Sequence, residues 1–305
     1  MSTTWALILL AIANILWGSS HAVGKIATDS FEPVLLAGLR VVFATACFWG
    51  LRLSGVAPSE PMPAGQRLRL ALLGLIAVAA AQMLDYSGLN LTTATDSSLM
   101  IIGEVIFTAV LAVFIAKEYL GWQRGIGMII GIVGVVILTL GGAPDTEYAP
   151  NRALGNTLVL AALLCESIFT VLGASLAQRF HPMTIMRWTY TGSLVIWVPY
   201  IVFVLITGAF PSVGWDAWVA VAYVAVFTSV ISYLLWFWVL RTAGSSLGAM
   251  SLFIQPIVGS LIGLFILKEG SSPGLLVGGT LIFVALALAT FQKEPTTPTQ
   301  RSHPS

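Results

Sequence analysis

The sequence predicts an all-α integral membrane protein: ten transmembrane helices arranged as two inverted five-helix repeats. Three observations lead there. Hydrophobic residues make up 57% of the 305, only 9% are charged, and mean hydropathy is +0.93, against roughly 25% charged residues in ordinary soluble domains. The apolar residues come in runs of about 20, the length that crosses a hydrocarbon core. The pattern of the first half also returns in the second.

In chain order, the first run, 5–27, lacks a basic leader region and a small-residue cleavage site, and it carries Trp17, His21 and Lys25, so it reads as a retained helix and not a signal peptide. Pro33 opens the second, 34–54. The third, 69–89, follows Pro61 and Pro63; the fourth, 96–116, stops at Lys117-Glu118; the fifth, 122–141, is rich in glycine. A sixth run, 154–177, begins after Pro150, and Pro182 opens the seventh, 184–207. Pro211 and Gly214 precede the eighth, 216–239; the ninth, 246–267, stops at Lys268-Glu269; Pro273 opens the tenth, 273–291. From Lys293, with Pro295, Pro298 and Pro304, the chain reads as a disordered cytoplasmic tail, 293–305.

An even number of spans puts both termini on one side. With them in the cytoplasm, ten of the fourteen basic residues lie inside: Arg52, Arg67, Arg69, Lys117, Arg124, Arg179, Arg187, Arg241, Lys293 and Arg301. Only Arg152 and Lys268 fall in outer loops, with Lys25 and Arg40 near outer helix ends, while Asp29, Glu32, Asp96, Asp145, Glu147, Asp216 and Glu269 lie outside. The positive-inside rule therefore predicts a multi-pass protein of a bacterial inner membrane with cytoplasmic termini.

The repeat is visible in residues. Ser97-Ser98-Leu99-Met100 through Lys117-Glu118 parallels Gly248-Ala249-Met250-Ser251 through Lys268-Glu269 at a constant offset of 151, and Pro33 and Pro182 match at 149. Residues 1–146 and 147–292 thus form the two repeats, and five spans in each, an odd number, turn one copy upside down relative to the other. Inverted repeats of this kind enclose the midplane site of many secondary transporters.

These residues resemble the EamA family of the drug/metabolite transporter superfamily. The resemblance is carried by Leu16-Trp17-Gly18 with Lys25, by Leu39-Arg40, by the two lysine-glutamate pairs and by Gln255-Pro256, and it covers the chain apart from its tail. It implies that helices one, three, four, six, eight and nine surround a cavity while five and ten brace the periphery, and it implies an exporter. The sequence departs from the pattern where Glu104-Val105 stands opposite Gln255-Pro256, and where the sixth span reads Cys165-Glu166-Ser167. Both departures fall on cavity-lining helices, so the resemblance carries no substrate with it.

Three carboxylates lie inside spans: Asp85, Glu104 and Glu166. An ionised acid at membrane depth costs at least about 2.5–3.5 kcal/mol, so such groups face the protein interior. Water exclusion favours the neutral acid, and a carboxyl that loads and releases protons on the two sides is what proton-coupled antiport requires. A substrate cation would compete for the same negative site. Each acid could instead be a protonated or paired group joining helices. Glu104 and Glu166 are the expected proton-coupling residues, with Asp85 and His21 supporting them.

Asn14, Trp17, His21 and Lys25 form one polar stripe along the first span. Trp17, Tyr86, Tyr233, Trp236 and Gln255 are the expected remainder of the substrate site, with rings suited to stacking or cation–π contact; Gln82, Ser229 and Ser232 add polarity nearby. Arg40 reads as an ion-paired or interfacial residue, with Asp29 or Glu32 as partner. Trp188, Trp197, Trp215 and Trp218 read as interface anchors. The glycines of the fifth span (Gly125, Gly127, Gly131, Gly134) and tenth (Gly274, Gly278, Gly279) read as close helix packing or a dimer contact.

Cys47 and Cys165 have no metal or disulfide spacing, no nucleotide-binding loop appears, and a net charge of +1 supplies no basic field for nucleic acid. No cofactor or metal is expected. The expected partners are a small-molecule substrate, protons and the lipid bilayer, in a monomer or weak homodimer. The sequence thus points to a secondary transporter that exports small metabolites, amino acids or amines, with a multidrug-cation exporter and, remotely, an intramembrane enzyme as alternatives.

Overall fold

The computed structural model describes residues 3–57, 60–116, 122–140, 149–177, 179–243, 251–252 and 254–290. Among these, the helical segments in chain order are α1 (Thr3–Thr28), α2 (Pro33–Leu53), α3 (Ala64–Leu91), α4 (94–116), α5 (Trp122–Leu140), α6 (Arg152–Ala177), α7 (Pro182–Ile206), α8 (215–243), α9 (Ile254–Ile266) and α10 (Pro273–Thr290). Each predicted span falls on one of these segments. The start of the ninth span, the Lys117-Glu118 pair and the tail lie outside the described residues. Seven segments are long and apolar enough to cross a membrane; Gly125–Leu140, Ile254–Ile266 and Pro273–Leu288 are apolar but shorter.

Helix ends follow local chemistry. Proline occupies the first turn of α2 and α7, where its missing N–H costs nothing. Glu32 caps α2 by accepting from Leu35 N at 2.9 Å, and it also accepts from Tyr200 OH at 2.9 Å. Four helices depart from α spacing inside the bundle: π turns occupy Leu75–Ala80 in α3, Ala112–Ala116 in α4, Tyr223–Ile231 in α8 and Ile262–Ile266 in α9. They fall at corresponding places in the two predicted repeats.

Two apolar cores are the largest among the described residues. One core is centred on α2, α3, α7 and α8, with Trp197, Phe31, Phe48 and Leu36 fully buried. Trp197 is therefore not an interface anchor: it covers Gly38, where an added Cβ would come within 2.8 Å of its ring. The second core joins α4, α5, α6 and α10 through Met100, Ile102, Val159 and Ile282.

In the second core, α5 and α10 meet backbone to backbone. A Cβ at Gly134 would lie 2.9 Å from Gly278 O, and one at Gly278 2.7 Å from Gly134 O. The glycines at these two positions serve packing within one chain. Gly134→Val forces the pair apart, and overpacking of this kind costs about 1–3 kcal/mol; the expected result is a lower melting temperature in detergent, with no change at solvent-facing controls such as Gly65.

The first and second halves of the chain are tied together at one end of the bundle. Asp96, at the start of α4, is fully buried and accepts from Arg152 of α6 bidentately, from Nη2 at Oδ1 (2.8 Å) and from Nε at Oδ2 (3.0 Å). Neither residue is the loop charge the sequence suggested, because each needs the other to leave water. Glu269, just past α9, accepts from Ala94 N (2.7 Å), Thr95 N (2.9 Å) and Thr95 Oγ1 (2.6 Å), so it caps α4 from the other half. Lys25 is buried as well, its Nζ donating to the carbonyls of Leu89, Asn90 and Thr92 at the C-terminus of α3. Beyond this end α4 breaks at Ile101, and its 102–116 portion packs on α5 and α6, while 94–100 packs on α1, α6 and α9.

Candidate functional site

The polar stripe of α1 is shared among three neighbours. Asn14 donates to Ser251 Oγ at 2.9 Å and accepts from Gln255 Nε2 at 2.8 Å, which fixes α1 against α9. The backbones there are close enough that a Cβ on Gly18 would lie 2.6 Å from Gln255 O. Gln255, expected to line the site, therefore spends its amide on a helix contact.

Trp17 turns to α8. The π turn of α8 returns to α spacing at Ser232, whose N–H bonds Phe227 O five residues back. The change of register passes over the carbonyl of Thr228, and Trp17 Nε1 takes that carbonyl at 2.9 Å. The indole stands edge-on to Tyr233 at 5.1 Å and to Trp236 at 5.4 Å. These three predicted residues are brought together as one aromatic group.

His21 faces α3. Its Nε2 lies 3.6 Å from Asp85 Oδ1, with side chains 12% and 16% exposed. That is ion-pair range but longer than a hydrogen bond, and His21 Nδ1 is buried with no partner among the described residues.

The remaining predicted acids, Glu104 of α4 and Glu166 of α6, come from the second core and face groups of the first. Glu104, Asp85 and Arg40 all lie close enough to act on the charge of Glu166. Tyr233 lies within the same electrostatic reach of Glu166, Glu104 and Arg40. Glu104 follows the break at Ile101 by one turn, and Ser167 Oγ holds α6 against that turn by donating to the Glu104 carbonyl at 3.1 Å. Irregular backbone at membrane depth occurs where it is buried in protein or lines a polar cavity.

Hydrogen bonding separates these acids from Asp96, Glu269 and Glu32. Those three have their oxygens occupied by donors, as described above. Among the described residues no N–H or O–H donates to the carboxylate of Glu104 or Glu166, and Asp85 has only the long approach of His21. Yet all three, like Trp17, Tyr233 and Trp236, are partly open to a solvent-sized probe.

Two residues at the site were not anticipated there. Arg40 does not reach Asp29 or Glu32. It points inward, donating from Nε to Ser229 Oγ at 3.0 Å, from Nη1 to Tyr86 OH at 3.2 Å and from Nη2 to Thr228 Oγ1 at 3.3 Å. Tyr86 is 1% exposed and sits under the guanidinium, whose carbon is 5.8 Å from the ring centre. Tyr190 of α7, also buried, completes this wall through Ser229. An arginine inside an apolar span, two turns from its start, was the available signal for the first; Tyr190 carried none beyond its residue type.

Among the described residues no group of histidine, cysteine and acids could hold a metal ion. Where the two largest cores meet, Asp85, Glu104, Glu166, Arg40 and Tyr233 thus form one electrostatically linked polar group inside an apolar bundle.

Comparison with known proteins shows the family. A protein described as an uncharacterized transporter of Archaeoglobus fulgidus is 23% identical over 288 residues, covering 93% of this chain and 96% of its own. A protein of Chlamydia trachomatis serovar L2 named as an S-adenosylmethionine/S-adenosylhomocysteine transporter is 24% identical over 278 residues, 89% of this chain and 84% of its own. A solved crystal structure superposes with a TM-score of 0.63 at 19% identity, over 95% of this chain and 97% of that one, which speaks for the fold alone. The EamA-like transporter family matches twice, over residues 4–140 and 153–291, one match in each half. A chain so matched through both halves, with a polar group inside an apolar bundle, belongs to the EamA-like transporter family and is a membrane transporter, not an enzyme.

Proposed function

We propose that the protein exports small metabolites, amino acids or amines across a bacterial inner membrane by alternating access, in exchange for protons. The observation that carries this reading is the trio Asp85, Glu104 and Glu166: interior carboxylates within electrostatic reach of one another, left without hydrogen-bond donors where every structural acid described above has them. Placing such groups in a bundle is costly, and an acid whose oxygens are free can take either a proton or a substrate cation. Glu104 and Glu166 are the coupling pair, and Trp17, His21, Tyr86, Tyr233 and Trp236 surround the substrate.

In this reading all ten helical segments span the bilayer, α1–α5 and α6–α10 forming inverted halves with both termini in the cytoplasm. The end held by Lys25, Asp96–Arg152 and Glu269 is then the outer one, and the divergence of α4 from α1 beyond Ile101 opens the site to the cytoplasm. The protein works as a monomer or weak homodimer, and protons are its coupling ion.

A second reading, export of several lipophilic cations, is favoured by the Trp17–Tyr233–Trp236 group beside acids. Comparing the metabolites in medium from overexpressing and deleted cells tests the first; growth protection against unrelated lipophilic cations tests the second. A compound enriched outside overexpressing cells should then move uphill in proteoliposomes when a pH gradient is imposed. Uptake indifferent to that gradient would sink proton exchange.

A further inference from the structure

Arg40 is held in a way that leaves its charge available. A guanidinium has five N–H donors in a planar fork suited to a carboxylate or phosphate. Here three groups accept from it, the hydroxyls of Ser229, Tyr86 and Thr228, and all are neutral. Two of these hydroxyls are turned toward it by giving their own hydrogens to Val224 O, Thr228 at 2.7 Å and Ser229 at 3.0 Å. The fork is thus fixed in orientation, and N–H groups remain on both terminal nitrogens. Among the described residues no carboxylate lies within ion-pairing distance of it; the ion pairs found are His21–Asp85 and Arg152–Asp96. The contrast with Arg152, which is closed on Asp96, is plain.

Asp85 and Glu166 act on Arg40 through space without touching it, with Glu104 beyond. A fixed cation therefore lies within electrostatic reach of Asp85 and Glu166, with the Tyr233 ring in the same reach. A phosphate dianion would suit the fork but would be repelled by three carboxylates. A molecule carrying one carboxylate and one cationic group matches both charges.

We infer that Arg40 is the receptor for a substrate carboxylate, and that the transported compound is amphoteric, an α-amino-acid-like molecule whose cationic end lies toward Glu104 and Glu166. This rests on the transporter reading of the same group and narrows its substrate class, setting simple amines and lipophilic cations aside.

The test uses the purified full chain in detergent and follows its intrinsic tryptophan fluorescence, with Trp17 and Trp236 as reporters. The probes are the twenty standard amino acids and S-adenosylmethionine, each binder then compared with its carboxamide. At least one free acid should bind saturably, and its carboxamide about tenfold or more weaker, the weight of charge-assisted hydrogen bonds. In Arg40→Gln that discrimination should shrink to about twofold or less. The ligand-side comparison is made on the unmodified chain, so it stands even if the variant folds poorly. Equal binding of acid and carboxamide, or no binding by any carboxylate-bearing probe, overturns the inference. Gradient-driven transport of an amine without a carboxylate would overturn it too, while leaving the transporter reading intact.

Discussion

Glu104→Gln is expected to abolish exchange driven by a pH gradient in proteoliposomes, while the protein elutes and melts as a folded bundle. The carboxamide has nearly the shape of the acid but neither binds nor releases a proton in the physiological range, so a cycle that couples through this group loses its driving ion. The fold should be indifferent, since no donor among the described residues bonds the Glu104 carboxylate; the contact that joins α4 to α6 here is Ser167 Oγ to the backbone carbonyl, which the substitution keeps. Glu104 is half-buried, and a neutral carboxamide is no costlier to desolvate than a carboxylate, so the melting temperature should hold. Glu166→Gln should give the same loss, because Glu104 lies close enough to act on the charge of Glu166 and the two are the proposed coupling pair. Wild-type exchange in either variant would remove that residue from the mechanism. Loss of activity accompanied by aggregation would instead assign it to structure.

Much of this arrangement was legible in the sequence. Apolar run length placed the helices, because hydrocarbon thickness is a strict ruler. The cost of a membrane-embedded charge picked out Asp85, Glu104 and Glu166, and the structure brings all three into one polar group with His21 on Asp85. What the sequence could not provide was partnership. Asn14, Trp17, His21 and Lys25 share one face of α1, but whether each meets a cavity or a neighbouring helix depends on which helix comes opposite. Gln255 and Lys25 are consumed by such contacts, with Asn14 and with the end of α3. Arg40 was assigned to the surface because its distance from Pro33 put it near a helix end, where a flexible arginine reaches water. Three hydroxyls on α3 and α8 drew it inward, and no local pattern announces hydroxyls one helix away. The π turn that frees the Thr228 carbonyl for Trp17 was equally invisible, since Tyr223–Ile231 reads as ordinary apolar helix.

Asp96→Ala is expected to lower stability by about 3–5 kcal/mol, the usual result of stripping the partner from a buried charge, read as a large drop in melting temperature in detergent. Arg152 is left 8% exposed, with the fork that bound Asp96 facing a cavity. Asp96→Asn should cost less, since its oxygen still accepts from the guanidinium, and a double change to Asp96→Ala with Arg152→Met should recover much of the loss, because it removes the buried guanidinium charge along with its carboxylate. A drop of under about 1 kcal/mol, the range of exposed pairs, would show that water reaches this site. The sign of the double variant has a consequence for function. A transporter that alternates must release contacts at its closed end, and those most readily released are the ones that water can replace. Glu269, itself partly exposed although the Ala94 and Thr95 groups it caps are buried, is nearer that kind; Asp96–Arg152, with Asp96 wholly buried, is not. If the pair is as costly to break as expected, α4 and α6 move as one body, and the opening at this end runs between α4 and α9.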